Sequence, residues 1–166
     1  MKTLILVFGH TGVTKKAAEK LADLLENAEI AEQIPEDLGG YDNYVLGTNV
    51  HFGKLNKRFK KCVKKYGDIF RSANTFVYVV GVEVESSDKY IRLAKCVVPF
   101  AWDIRYVWGE LNLQGATSFQ RFFIGAYISG RKGDGLPKPR LLDKEIRSLS
   151  ESICTRESDP HKVFGA

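Results

Sequence analysis

Apolar residues fall along this chain in two rhythms. Leu4-Ile-Leu-Val-Phe8 is a near-continuous apolar run, as a strand buried on both faces reads. Thr75-Phe-Val-Tyr-Val-Val-Gly-Val82 is β-branched and aromatic throughout and gives the clearest strand. Asn43–Gly47 and Arg105–Leu113 read as two more, and Ala28–Gln33 as a short one. Elsewhere the spacing is three and four. Ala17, Ala18, Leu21, Ala22, Leu24 and Leu25 form one face of a helix over 15–25. Leu55, Phe59, Cys62, Val63, Tyr66, Ile69 and Phe70 do the same over 54–72. A helix over 88–97 has Ser86 and Ser87 as caps and Pro99 as a stop. Leu141, Leu142, Ile146, Leu149 and Ile153 mark a last helix over 140–155.

The alternation β-α-β-β-α-β-α-β-α predicts a doubly wound α/β sheet. Ligands of such sheets bind beyond the carboxyl ends of the strands, at the switch point. Three loops fall at such ends: 9–14, 48–53 and 82–88. Residues 1–156 read as one domain, with 157–166 as a flexible tail. Residues 114–139 exceed what the minimal fold needs. There Phe119, Phe122, Phe123 and Tyr127 recur at helical spacing, flanked by Arg121, Arg131 and Lys132. Gly130–Pro139 reads as a mobile loop. This insertion is either a short helix packed on the sheet, or an aromatic-basic surface for an apolar anion or a membrane interface.

The first loop carries the plainest chemistry. Gly9-His-Thr-Gly-Val-Thr14 delivers the first strand into a helix N-terminus, where unpaired N–H groups and the helix dipole favour an anion. Thr11 and Thr14 add hydroxyl donors, and Gly12 lets backbone approach closely. Lys15 and Lys16 oppose the dipole, at about a few tenths of a kcal/mol each, unless an anion is bound. A plain βα turn with solvated lysines is the alternative.

Composition narrows the rest. The chain has 166 residues, 44 % hydrophobic and 27 % charged, ordinary for a globular protein. No apolar run approaches the ~20 residues of a membrane span, and the N-terminus does not read as a signal peptide, so a cytoplasmic protein is expected. The net charge of +5 favours an anionic partner. The helix over 54–72 carries Lys54, Lys57, Arg58, Lys60, Lys61, Lys64, Lys65 and Arg71 against Asp68, but no nucleic-acid motif, so no nucleic acid is expected. Cys62, Cys96 and Cys154 lack disulfide or metal spacing and are expected to be buried thiols; no metal site is expected.

Together these residues resemble the flavodoxin-like family. Gly9–Thr14 is similar to its FMN phosphate loop, Ser/Thr-x-Thr-Gly-x-Thr, with Gly9 in place of the first hydroxyl. Tyr44–Gly53 is similar to its third strand and the loop covering the flavin ring. The resemblance implies a three-layer sandwich with a five-stranded parallel sheet of order 2-1-3-4-5, and FMN as cofactor. Gly9, His10, Thr11, Gly12, Val13 and Thr14 would hold the phosphate. Asn49, Val50, His51, Phe52 and Gly53, with Val82, Glu83, Val84 and Glu85, would flank the ring, and Thr48 is counted among the cofactor-binding residues. Phe52 is the one aromatic in these loops, and Glu83 and Glu85 would place negative charge near the flavin. His10 and His51 are proton carriers, phosphate donors or solvent-exposed bystanders.

Within that family the chain resembles the menaquinone-dependent protoporphyrinogen oxidases, through the second loop, the basic helix after it and Phe119-Gln-Arg-Phe122. That implies oxidation of an anionic tetrapyrrole with a quinone as acceptor, and peripheral contact with the inner face of a membrane. An electron-carrier flavodoxin and a flavodoxin fold without FMN that binds a partner are the alternatives. Carriers are usually acidic, which suits this basic chain less well.

Overall fold

The computed structural model describes residues 1–9, 12–110, 118–134, 141 and 143–157. Its elements are β1 (Thr3–Phe8), α1 (Val13–Ala22), β2 (Ala28–Ala31), β3 (Asn43–His51), β4 (Lys54–Leu55), α2 (Lys57–Arg71), β5 (Asn74–Gly81), a 3-10 turn (Val84–Ser86), α3 (Ser87–Val97), β6 (Asp103–Trp108), α4 (Ser118–Gly133) and α5 (Asp143–Glu157).

Five strands pair in parallel in the order β2-β1-β3-β5-β6. That is the expected 2-1-3-4-5 order, with the two-residue β4 added as an antiparallel partner of β3. The continuous apolar run of β1 follows from burial on both faces. Leu4, Leu6 and Phe8 enter one core with Phe59, Phe70 and Tyr90 from α2 and α3. Ile5 and Val7 enter the other with Leu21 of α1 and Ile146, Leu149 and Ile153 of α5. Side chains alternate along a strand, so one sequence run supplies both cores.

Some boundaries differ from the expected ones. β3 runs four residues past Gly47, because Thr48 and Asn49 go on pairing with Phe8 and with Val79 and Val80. Four of the six residues of the expected 48–53 loop are therefore strand. α2 begins at Lys57, where Asn56 caps it by accepting a hydrogen bond from the Arg58 N–H at 2.8 Å. α4 reaches Gly133, so 130–133 are helical where a loop was expected. The rest of that expected loop, the 111–113 end of the last strand and the tail 158–166 lie outside the described residues. Cys62 is buried, and its thiol is pushed up to about 12 by burial. Cys96 and Cys154 are exposed, contrary to expectation, because they lie on the outer faces of α3 and α5. No helix among the described residues is long and apolar enough to cross a membrane.

Gly47 shows how the sheet constrains what stands on it. It pairs in register with Tyr78, whose ring lies where a Cβ on residue 47 would be. Gly47→Ala is expected to lower stability by about 1–3 kcal/mol through overpacking, read as a lower denaturant midpoint with unchanged slope.

Candidate functional site

Because β1, β3 and β5 are neighbours, the segments leaving their carboxyl ends converge on one edge of the sheet. In the first segment the structure describes Gly9, Gly12, Val13 and Thr14; His10 and Thr11 lie outside the described residues. Gly12 is the N-cap of α1 at φ 75°, a left-handed conformation that glycine adopts without penalty. Among the described residues no side chain caps this helix, and none lies within 4 Å of the position of a Cβ on Gly12. The Thr14 side chain is fully buried against Gly9, where a Cβ would stand 2.6 Å from Thr14 Cβ. The absent hydroxyl at position 9 thus has a steric cause: Thr14 occupies its place.

Thr14 Oγ1 is buried without a hydrogen-bond partner, and so is Thr48 Oγ1. Thr48 pairs in register with Phe8, the residue before Gly9. The two orphan hydroxyls therefore flank the end of β1. Each costs on the order of 1–3 kcal/mol while unpaired, so the edge carries a standing penalty that an acceptor would relieve. The Thr14 backbone is held from below, where the Tyr78 hydroxyl donates to the Thr14 carbonyl at 2.8 Å. Lys15 and Lys16 turn elsewhere, Lys15 to Glu32 at 2.6 Å and Lys16 to Glu110. These carboxylates balance the two lysines.

Of the second segment, Thr48, Asn49, Val50 and His51 belong to β3. Asn49 is braced by the Asn56 side-chain amide, which donates to Asn49 Oδ1 at 3.0 Å. Phe52 and Gly53 form a two-residue hairpin turn to β4, both at positive φ (46° and 71°). Such turns match strand twist but favour Asn-Gly, and a bulky residue there costs about 1–2 kcal/mol. Phe52 is nevertheless 88 % exposed, with His51 edge-on at 4.4 Å. An aromatic side chain held strained and in water at this edge is better explained by a partner than by the fold.

The third segment, Val82, Glu83 and Val84, is the most tightly tied. The Val82 carbonyl accepts from Trp108 Nε1 at 2.8 Å and from the Tyr127 hydroxyl at 3.3 Å. The Glu83 carbonyl accepts from Tyr106 at 2.9 Å, and its carboxylate from Tyr90 at 3.0 Å. Val84 opens the 3-10 turn. Arg131 of α4, almost fully buried, forks onto both oxygens of Glu85 at 2.9 and 3.2 Å and reaches Tyr127. The expected accumulation of negative charge is thereby corrected, since Arg131 neutralises Glu85. That hydrogen bond also holds the Glu85 carboxyl below its usual range. Tyr78, Tyr90, Tyr106 and Trp108 were not among the expected site residues, and Arg131 was expected only as a flank of the 114–139 insertion. A trace existed in glycines 47 and 81, each standing beside a tyrosine ring from the next strand.

A family model described as the flavodoxin domain matches residues 4–136. The chain belongs to the flavodoxin family. Its sheet order and three-layer arrangement are those of the fold, and solved structures agree. An archaeal flavodoxin superposes with a TM-score of 0.56 at 12 % identity, covering 97 % of this chain and all of the other. A Lactobacillus acidophilus NCFM flavoprotein, solved in complex with FMN, gives 0.54 at 16 % identity, over 63 % of this chain and 92 % of that one. No curated protein sequence matches. Within this flavodoxin-family protein, α4 is the element that joins the third segment through Arg131 and Tyr127.

Two outcomes follow for these contacts. Phe52→Asn is expected to stabilise the fold by about 1 kcal/mol by relieving the positive-φ strain, measured by urea unfolding. The Glu85–Arg131 pair stabilises above the unfolded-state pKa of Glu85, ordinarily near 4.5, and its contribution is lost as pH falls through the lowered native value. A Glu85→Gln variant is therefore expected to unfold more readily than wild type at pH 7, with the difference vanishing at acid pH and with faster amide exchange over 82–86 at neutral pH.

Proposed function

We propose that this flavodoxin-family protein binds FMN at the carboxyl edge of its sheet and works as a redox protein. The observation that carries this reading is the pair of orphan buried hydroxyls, Thr14 Oγ1 and Thr48 Oγ1, beside an uncapped helix N-terminus. That donor set suits a phosphate: two hydroxyls and the first-turn amides of α1. Gly9, His10, Thr11, Gly12, Val13 and Thr14 would hold the phosphate. The Thr48 hydroxyl would join them there, while Asn49, Val50, His51, Phe52 and Gly53 would lie on one side of the ring, with Phe52 stacking on it. Val82, Glu83 and Val84 would border its other edge, the Val82 carbonyl already engaged by Trp108 and Tyr127 and the Glu83 carbonyl by Tyr106. FMN supplies the one- and two-electron chemistry when bound; the chain supplies position, dielectric and charge. The Arg131–Glu85 pairing favours a reduced, negatively charged cofactor more than two free carboxylates would.

The finer reading is oxidation of an anionic tetrapyrrole, with a quinone as acceptor, as in the protoporphyrinogen oxidases that the sequence resembles. The net charge of +5 and the sequence Phe119-Gln-Arg-Phe122 support it. Contact with the cytoplasmic face of a membrane would then bring the quinone within reach. An electron-carrier role is the second reading, favoured by the end-to-end match with an archaeal flavodoxin.

Titration of the purified protein with FMN tests the shared part. Flavin fluorescence is expected to be quenched with saturation, and Thr14→Val is expected to weaken binding roughly tenfold, the loss of one hydrogen bond to a charged group. Absence of any quenching or spectral shift would leave the partner-binding alternative. If FMN binds, anaerobic protoporphyrinogen with menadione separates the two roles: rising porphyrin fluorescence above the protein-free control marks the oxidase, and an unchanged signal marks the carrier.

A further inference from the structure

Away from the three converging segments, the outer face of α2 and α3 is strongly one-signed. Residues 54–97 hold eleven of the chain's 25 Lys and Arg but four of its 20 Asp and Glu. Lys57, Lys60, Lys61, Lys64 and Arg92 are exposed and form no ion pair among the described residues. Between the end of α2 and the end of α3 this face opens into a cavity of about 530 Å³. Lys60, Lys64 and Arg71 stand on its rim. Its floor is apolar, made by Val63, Val97 and Phe100, and the exposed Cys96 lies in its wall. Arg71 is 5.4 Å from the centre of the Phe100 ring, and the single carboxylate in the cavity, Asp68, is fully solvated and 3.9 Å from Arg71. A kink at Tyr66 (φ −117°, ψ 16°) falls midway along the stretch of α2, Lys60 to Arg71, that lines the cavity. Phe100 precedes β6 and Arg71 precedes β5, so the cavity lies toward the amino ends of the strands, at the opposite edge from the flavin segments.

We infer that this face docks an acidic segment of a protein partner, which seats one aromatic or large aliphatic side chain in the cavity. The two halves of the observation select that occupant. A small anion would use the rim and leave the wider basic face unexplained. A bilayer or a nucleic acid would use the charge and has no use for a concave apolar floor. An acidic amphipathic segment uses both: its carboxylates meet the unpaired lysines, and its apolar residue displaces water from Val63, Val97 and Phe100. Charge then sets the rate and sign of encounter, and the anchor sets the residence time. The site stands independently of the flavin reading.

The test uses the full chain, with and without FMN, and a short fluorescein-labelled peptide, glutamate-rich around one central Phe. Saturable binding is expected by anisotropy, weakening as salt rises. Replacing the peptide's Phe with Ala is expected to cost roughly tenfold or more in affinity. Lys60→Glu/Lys64→Glu, both exposed positions, is expected to cost at least as much with circular dichroism unchanged. Bound peptide is also expected to slow alkylation of Cys96 by iodoacetamide, located by mass spectrometry. Binding that survives the charge reversal, or that ignores the Phe, overturns the proposal. Tighter binding of phosphatidylglycerol vesicles or of a single-stranded oligonucleotide at equal salt overturns it too, and makes the face a general polyanion surface. Failure of FMN to bind leaves every one of these outcomes readable.

Discussion

At the carboxyl end of β1 a single buried threonine packs where a side chain on residue 9 would stand. Thr14 folds back onto Gly9, the strand ends there without a side chain, and the hydroxyl that fills the space is left without a partner. Much of the edge follows from that packing. Gly12, the N-cap of α1, takes a left-handed conformation and has no side chain with which to cap the helix. The Thr14 carbonyl is gripped from β5 by Tyr78, whose ring in turn requires glycine at position 47 of β3. Three strands are thus committed to the placement of one threonine. An unsatisfied hydroxyl so firmly held is a cost to folding and an asset to binding, since its donor direction is fixed before any ligand arrives.

The neighbouring segments use opposite strategies. The turn at Phe52 is strained and exposed, and is held by the short β3–β4 ladder and the Asn49–Asn56 contact. The segment at 82–86 is relaxed and fixed by five side chains from β6, α3 and α4. A ligand between them would meet one wall that can adjust and one that cannot. The rigid wall is also where charge is controlled, because Arg131 turns Glu85 from a free carboxylate into one half of a bidentate pair.

The elements and their order were legible because burial on two faces writes itself as apolar runs, and helices write the 3.6-residue period. Loop positions were legible for the same reason. What escaped depends on partners distant in sequence. Thr48 and Asn49 read as loop, since only pairing with Phe8, Val79 and Val80 makes them strand. The glycine at position 9 read as a lost hydroxyl, since Thr14 covers it only in the folded chain. Glu85 read as free, since its guanidinium comes from Arg131, 46 residues on. Cys96 read as core, since one step around a short helix exchanges core for solvent. Lys15 and Lys16 drew the eye to the right helix terminus but are balanced by Glu32 and Glu110.

The central claim is that Thr14 and Thr48 are poised for a phosphate and not merely buried. Comparing FMN with riboflavin measures this directly, because the two differ only in that group. If the claim is right, wild-type protein binds FMN at least roughly tenfold more tightly than riboflavin. In a Thr14→Val/Thr48→Val variant that advantage shrinks while riboflavin affinity stays the same. Equal affinity for the two flavins in the wild type, or an FMN advantage untouched in the variant, would contradict it.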